Sequence, residues 1–106
     1  MVIGLVGELG SGKTTYVQQK AKELGITETV TSPTFVLLKI YKIPQGDFER
    51  LVHMDVYRLK NEEEFKNLDI EDILNDPKNL IYIEWADKVK NLLPKDTQWM
   101  EFHHEK

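Results

Sequence analysis

Gly7-Glu8-Leu9-Gly10-Ser11-Gly12-Lys13-Thr14 has the form G-x-x-x-x-G-K-T, and its surroundings decide the fold. It follows a short apolar run, Val2-Ile3-Gly4-Leu5-Val6, and leads into the helix-compatible segment Lys13 to Leu24, with Gly25 placed to cap the C-terminus. Buried strand, glycine-rich turn and helix, in that order, form the context of a phosphate-binding P-loop. The chemistry needs each residue type at its place. Glycines let successive backbone N–H groups curl toward phosphate oxygens, and the helix start adds the positive end of its dipole. Lys13 supplies a point charge for the β- and γ-phosphates, and the Thr14 hydroxyl is a candidate Mg²⁺ ligand. Residues Gly7, Glu8, Leu9, Gly10, Ser11, Gly12, Lys13, Thr14 and Thr15 are therefore the candidate stretch for binding a nucleoside triphosphate.

Beyond the loop, apolar runs and breakers alternate as in an α/β chain. Phe35 to Tyr41 reads as a strand, Pro44-Gln45-Gly46-Asp47 as a turn, and Arg50 to Met54 as a returning strand, so the two are expected to form an antiparallel hairpin. Asn61-Glu62-Glu63-Glu64 has the form of a capping box, with Asn61 as the cap and Glu64 reaching back, and it should open a short helix. A second helix is expected from Ile70 to Leu74, a buried strand over Leu80-Ile81-Tyr82-Ile83, a helix from Ala86 to Leu93 and a terminal strand from Thr97 to His103. The expected architecture is a three-layer α/β P-loop domain on a small mixed, mainly parallel sheet, with Gly4 to Val6 beside Ile81 to Ile83.

Composition narrows the function classes. The chain has 106 residues, enough for one domain that buries roughly two-thirds of its unfolded surface. It has no cysteine, which removes disulfide and thiol chemistry and fits a reducing cytoplasm. A net charge of −4 argues against a broad nucleic-acid-binding face, which needs clustered Lys and Arg. No apolar stretch reaches the 18 or so residues of a membrane-spanning helix. A single cytoplasmic domain is expected.

Three further places carry chemistry. Glu84-Trp85 ends the run LIYI, and in open α/β sheets ligands lie beyond the carboxyl ends of the strands. Glu84 there would face the P-loop cleft and hold Mg²⁺ directly or through water, while Trp85 would stack on a base or fill space beside the sheet. In His53-Met54-Asp55-Val56-Tyr57-Arg58, strand alternation would put His53, Asp55 and Tyr57 on one face if the segment stays extended. Asp55 is the candidate for orienting an attacking water. His53 reads as a packed or hydrogen-bonded strand residue, and Tyr57 and Arg58 are open. Ser32-Pro33-Thr34 stands where P-loop proteins place a γ-phosphate-sensing switch, although such a tripeptide is also a common turn.

Taken together, GELGSGKTT, TSPTF, HMDVYRL and IEW, in this order and spacing, closely resemble the TsaE family of P-loop ATPases, which bacteria need to make threonylcarbamoyladenosine in tRNA. The resemblance runs from about Val2 to Pro94. It implies that Lys13 binds phosphate, that Thr14 and Glu84 form the Mg²⁺ site, and that hydrolysis depends on Asp55. It also implies that Ser32 and Thr34 form the switch and that Trp85 helps shape the site. The implied partner is a TsaB–TsaD pair, which transfers the threonylcarbamoyl group, with tRNA engaged only indirectly. Relative to the family pattern the chain is expected to be shortened at both ends. Three other readings share parts of this pattern. A P-loop kinase would need an arginine-bearing lid, and the chain has only Arg50 and Arg58. A GTPase would need D-x-x-G and N-K-x-D signatures, which are absent from the sequence. A non-hydrolysing ATP-dependent interaction module would use the same loop to present a surface.

Overall fold

A computed structural model describes residues 1–8, 10–31 and 37–103. Five strands form one sheet: β1 (Val2–Gly7), β2 (Leu38–Lys42), β3 (Arg50–Asp55), β4 (Asn79–Glu84) and β5 (Gln98–Phe102), in the order β2-β3-β4-β1-β5. The pairs β3–β4, β4–β1 and β1–β5 are parallel, and β2 joins β3 as an antiparallel edge hairpin. Gly4 lies opposite Ile83, so the two central strands are the neighbours that their apolar runs predicted.

Helices cover both faces. Strand alternation sends Ile3, Leu5, Leu51, Leu80 and Tyr82 to one side, where they pack on Val17 and Ala21 of α1 (Lys13–Glu23). The opposite side chains, among them Val52, Met54, Ile81 and Ile83, pack on Phe65 of α2 (Glu62–Lys66), Leu74 of α3 (Glu71–Asn75) and Val89 of a 3-10 helical segment, Ala86–Leu92. The result is a three-layer, P-loop NTPase-like α/β fold. Among the described residues, no helix is long and apolar enough to cross a membrane.

Three expectations shift in detail. The second strand begins at Leu38 because Leu37 takes a left-handed φ of 69°, which interrupts the extended run; Phe35 and Val36 lie outside the described residues. The helix expected from Ala86 to Leu93 is a 3-10 helical segment over Ala86–Leu92, broken at Val89 (φ −127°). In the cap of α2, Asn61 Oδ1 accepts from Glu64 N at 3.0 Å as expected, but Glu64 Oε1 reaches one residue further back, to Lys60 N at 3.1 Å.

The topology creates one crevice. From β1 the chain leaves over one face toward β2 and β3, and from β4 it leaves over the other toward β5. The space beyond the carboxyl ends of β1 and β4 is therefore the switch point of the sheet, where ligands of open α/β folds bind.

Candidate functional site

The loop between β1 and α1 opens into this crevice. Gly7 has a geometric reason to be glycine: a Cβ there would lie 2.5 Å from the Phe102 carbonyl oxygen of β5 and 2.9 Å from Ser11 Oγ. Gly12, the N-cap of α1, has φ 102°, a conformation costly for any residue with a side chain, and a Cβ there would meet nothing within 4 Å. A turn from Ser11 N to Glu8 O (3.1 Å) and the first helical bond, Tyr16 N to Gly12 O (2.9 Å), fix the two ends of the turn.

Lys13 is buried, and its ammonium lies inside the loop. Nζ donates to Gly7 O at 2.8 Å and Glu8 O at 2.9 Å, and it reaches Ser11 Oγ at 3.4 Å. Burial pulls its pKa below the ordinary lysine value, against the opposing pull of the Glu84, Asp55 and Asp87 carboxylates. Trp85 covers it, with the Lys13 ammonium 4.3 Å from the ring centroid, and the Tyr57 ring lies 4.9 Å from Trp85 on a tilt of 44°. Trp85 holds a left-handed φ of 63° as the cap of the 3-10 segment. That turn is what brings a residue at the end of β4 back over the loop.

Glu84 is nearly fully buried at the end of β4, level with Leu5 of β1 and Asp55 of β3. Thr14 Oγ1 donates to Glu84 Oε2 at 2.7 Å, which joins the first turn of α1 to the sheet across 70 residues of sequence. The same oxygen meets His53 Nε2 at 2.5 Å. His53 is fully buried, and its Nδ1 has no partner among the described residues. Asp55 is buried as well, and its Oδ1 accepts from Tyr57 N at 2.9 Å.

That last bond corrects one expectation. The chain turns after Asp55, so Tyr57 leaves the strand and is exposed, while His53 and Asp55 keep a common face. Arg58 is exposed in the same turn, and Thr15 is exposed on α1. Ser32, Thr34 and Leu9 lie outside the described residues. Two features escaped the sequence reading. One is the His53–Glu84 pair; the other is Asp87, a third carboxylate acting on Lys13. Both arise from strand register and the turn after β4, although the i, i+2 placement of His53 and Asp55 was a usable signal for the first. Beside the loop an open cleft of about 570 Å³ is lined by Gly7, Glu8, Trp85, Asp87, Phe102 and His103.

The donor set fits a hydrated divalent cation. Thr14 gives its proton to Glu84, so its hydroxyl lone pairs stay available, and Glu84 Oε1 is engaged by neither Thr14 nor His53. Among the described residues there is no group of three or more His, Cys, Asp or Glu side chains able to hold a metal. A cation here would be held by one or two protein oxygens plus water and phosphate, as Mg²⁺ usually is.

The model of the family described as threonylcarbamoyl adenosine biosynthesis protein TsaE matches residues 1–106. A protein of Rickettsia prowazekii named tRNA threonylcarbamoyladenosine biosynthesis protein TsaE is 42% identical over 93 residues, covering 87% of this chain and 61% of that protein. A protein of the same name from Bacillus subtilis is 38% identical over 95 residues, covering 90% and 56%. The crystal structure of Bacillus subtilis YdiB superposes with a TM-score of 0.76 at 30% identity, covering 99% of this chain and 60% of YdiB. The chain thus spans about 60% of the length of these relatives. With a family match over its whole length and relatives near 40% identity, the chain belongs to the TsaE family.

Proposed function

We propose that the chain binds ATP with Mg²⁺ in the crevice between β1 and β4 and hydrolyses it, as a cytoplasmic subunit that supports threonylcarbamoyl transfer to adenosine in tRNA by acting on a TsaB–TsaD pair. The observation that carries the ATP reading is the 2.7 Å bond from Thr14 to a buried Glu84, made directly behind a glycine-rich loop that holds a buried lysine. A purely structural turn has no need to bury an ammonium and a carboxylate that act on one another, since each costs several kcal/mol to desolvate.

On this reading the loop N–H groups and Lys13 Nζ cradle the phosphates, with Nζ exchanging the Gly7 and Glu8 carbonyls for phosphate oxygens. Thr14 and Glu84 would hold a magnesium ion, which when bound would neutralise charge on the phosphate oxygens. Asp55 lies beside Glu84 in the sheet register and orients the attacking water, its own carboxylate steadied by Tyr57 N. Trp85 shields Lys13 from bulk water, which strengthens the lysine's electrostatic pull. Contact with tRNA is indirect, as the net acidity of the chain favours.

The test is steady-state ATP hydrolysis by the chain alone and with a TsaB–TsaD pair of the same source. Stimulation by the pair is the expected result. A flat rate near zero in both would leave a nucleotide-binding module without hydrolysis, and a high rate indifferent to the pair would point to a general ATPase.

A further inference from the structure

We propose that His53 is the positioning residue of the cation site: its Nε2–H holds Glu84 Oε2 so that the other carboxylate oxygen and the Thr14 hydroxyl are presented to the metal. The proposal rests on the Mg²⁺ reading above and adds to it a residue that never touches the ligand.

The argument begins with geometry. His53 stands opposite Tyr82 in the β3–β4 register, so Glu84 is its diagonal neighbour, two residues further along the same face. The imidazole spans that diagonal and ends 2.5 Å from Oε2. An ionised carboxylate can only accept, so the tautomer that bonds an ionised Glu84 is the one with its proton on Nε2. Nδ1 is unpartnered, so no other described group competes for the ring and its orientation is set by Glu84 and by packing.

The second part concerns Glu84. Its Oε2 receives two hydrogen bonds from opposite elements, Thr14 on α1 and His53 on β3. Thr14 alone constrains only the distance of Oε2 from one hydroxyl, which leaves the carboxylate room to turn about its last torsion. A second donor, on a different element, locates the same oxygen from another side and narrows that torsion. A carboxylate held through one oxygen by buried donors offers the other in one direction, as partners behind metal ligands commonly arrange. His53 has zero exposure, so water cannot take over its role.

The test compares the wild-type chain with His53→Leu and His53→Gln. Leu fills the site without a donor; Gln restores an N–H. Isothermal titration with a non-hydrolysable ATP analogue, with Mg²⁺ and with EDTA, gives the metal-dependent gain in affinity, and Mn²⁺ electron paramagnetic resonance reports cation occupancy directly. For His53→Leu the metal-dependent gain should fall about 10- to 100-fold while affinity in EDTA holds, with partial recovery in His53→Gln. A His53→Leu variant with the wild-type gain overturns the proposal and leaves the Mg²⁺ reading intact. A wild-type chain with no metal-dependent gain overturns both. Circular dichroism checks folding, and ¹⁵N-edited imidazole spectra of the unmutated protein supply an independent reading if His53→Leu does not fold. A strongly hydrogen-bonded Nε2 proton that is lost in Glu84→Gln supports the pair, and an imidazole indifferent to Glu84→Gln refutes it.

Discussion

Thr14→Val removes one hydroxyl and little else. The two side chains share a shape and similar helix propensity, so the helix cost cancels and the variant isolates the bond to Glu84. That bond is 2.7 Å long and ends on a buried carboxylate. Hydrogen bonds to charged groups contribute about 1.5–3 kcal/mol, and Thr14 is only half-buried, so water recovers part of the loss. The expected destabilisation without any ligand is about 1–2 kcal/mol. For a domain of this size that is a fall in melting temperature of about 4–12 °C, read by calorimetry. Thr14→Ser keeps the donor and should lie within about 0.5 kcal/mol of the parent. A cycle with Glu84→Gln should show a coupling near 1 kcal/mol, since the two side chains touch. If Thr14→Val matches the wild-type stability and keeps its full Mg²⁺-dependent gain in nucleotide affinity, α1 is not tied to β4 by this bond and the account of the site fails.

Lys13→Ala should lower ATP affinity by about 10- to 100-fold or more, since it deletes the charge-assisted contacts to phosphate; a near-normal titration would remove the loop from the site. Asp55→Asn should retain ATP-analogue binding while hydrolysis collapses, and a variant that hydrolyses ATP normally would deprive Asp55 of its assigned role. Tyr82 gives a pH signature. Burial, with help from Tyr16, pushes its hydroxyl up to about 12, from 10 in the unfolded chain. The folded state therefore keeps a proton that the unfolded state loses, and about 2–3 kcal/mol present below pH 10 is lost between pH 10 and 12. Tyr82→Phe should flatten that alkaline fall, and phenolate absorbance should show one tyrosine titrating late; a single transition near 10 for all the tyrosines would contradict the burial argument.

The parts of the molecule legible in the sequence are those governed by local chemistry. The strand–loop–helix start follows from an apolar run, three glycines and a helix without breakers, and the β2–β3 hairpin follows from two β-rich runs about a Pro-Gly turn. The Asn61 cap follows from a four-residue motif. What sequence reading lost depends on register or on single torsions. The contact of His53 with Glu84 spans 31 residues and exists only because β3 and β4 are adjacent and in a particular stagger; the i, i+2 placement of His53 and Asp55 hints at a shared face but does not name the partner. The left-handed turns at Leu37 and Trp85 are set by tertiary packing at residues whose type disfavours them, so a strand begins late and a helix becomes a 3-10 segment. Tyr57 left its predicted face because Asp55 captured its backbone N–H, a short-range bond that competes with strand extension.

The lysine folded into its own loop has a thermodynamic corollary. Gly7 O and Glu8 O act as a tethered rival for any anion that seeks Lys13, always present and never diluted. Observed affinity is then a difference, the attraction of the newcomer less the cost of evicting two resident carbonyls. A protein that merely drew those carbonyls aside would tighten nucleotide binding without touching the nucleotide, because it would populate the receptive form in advance. On the proposed function, the resting loop would make the chain a weak binder in isolation and a tunable one in company.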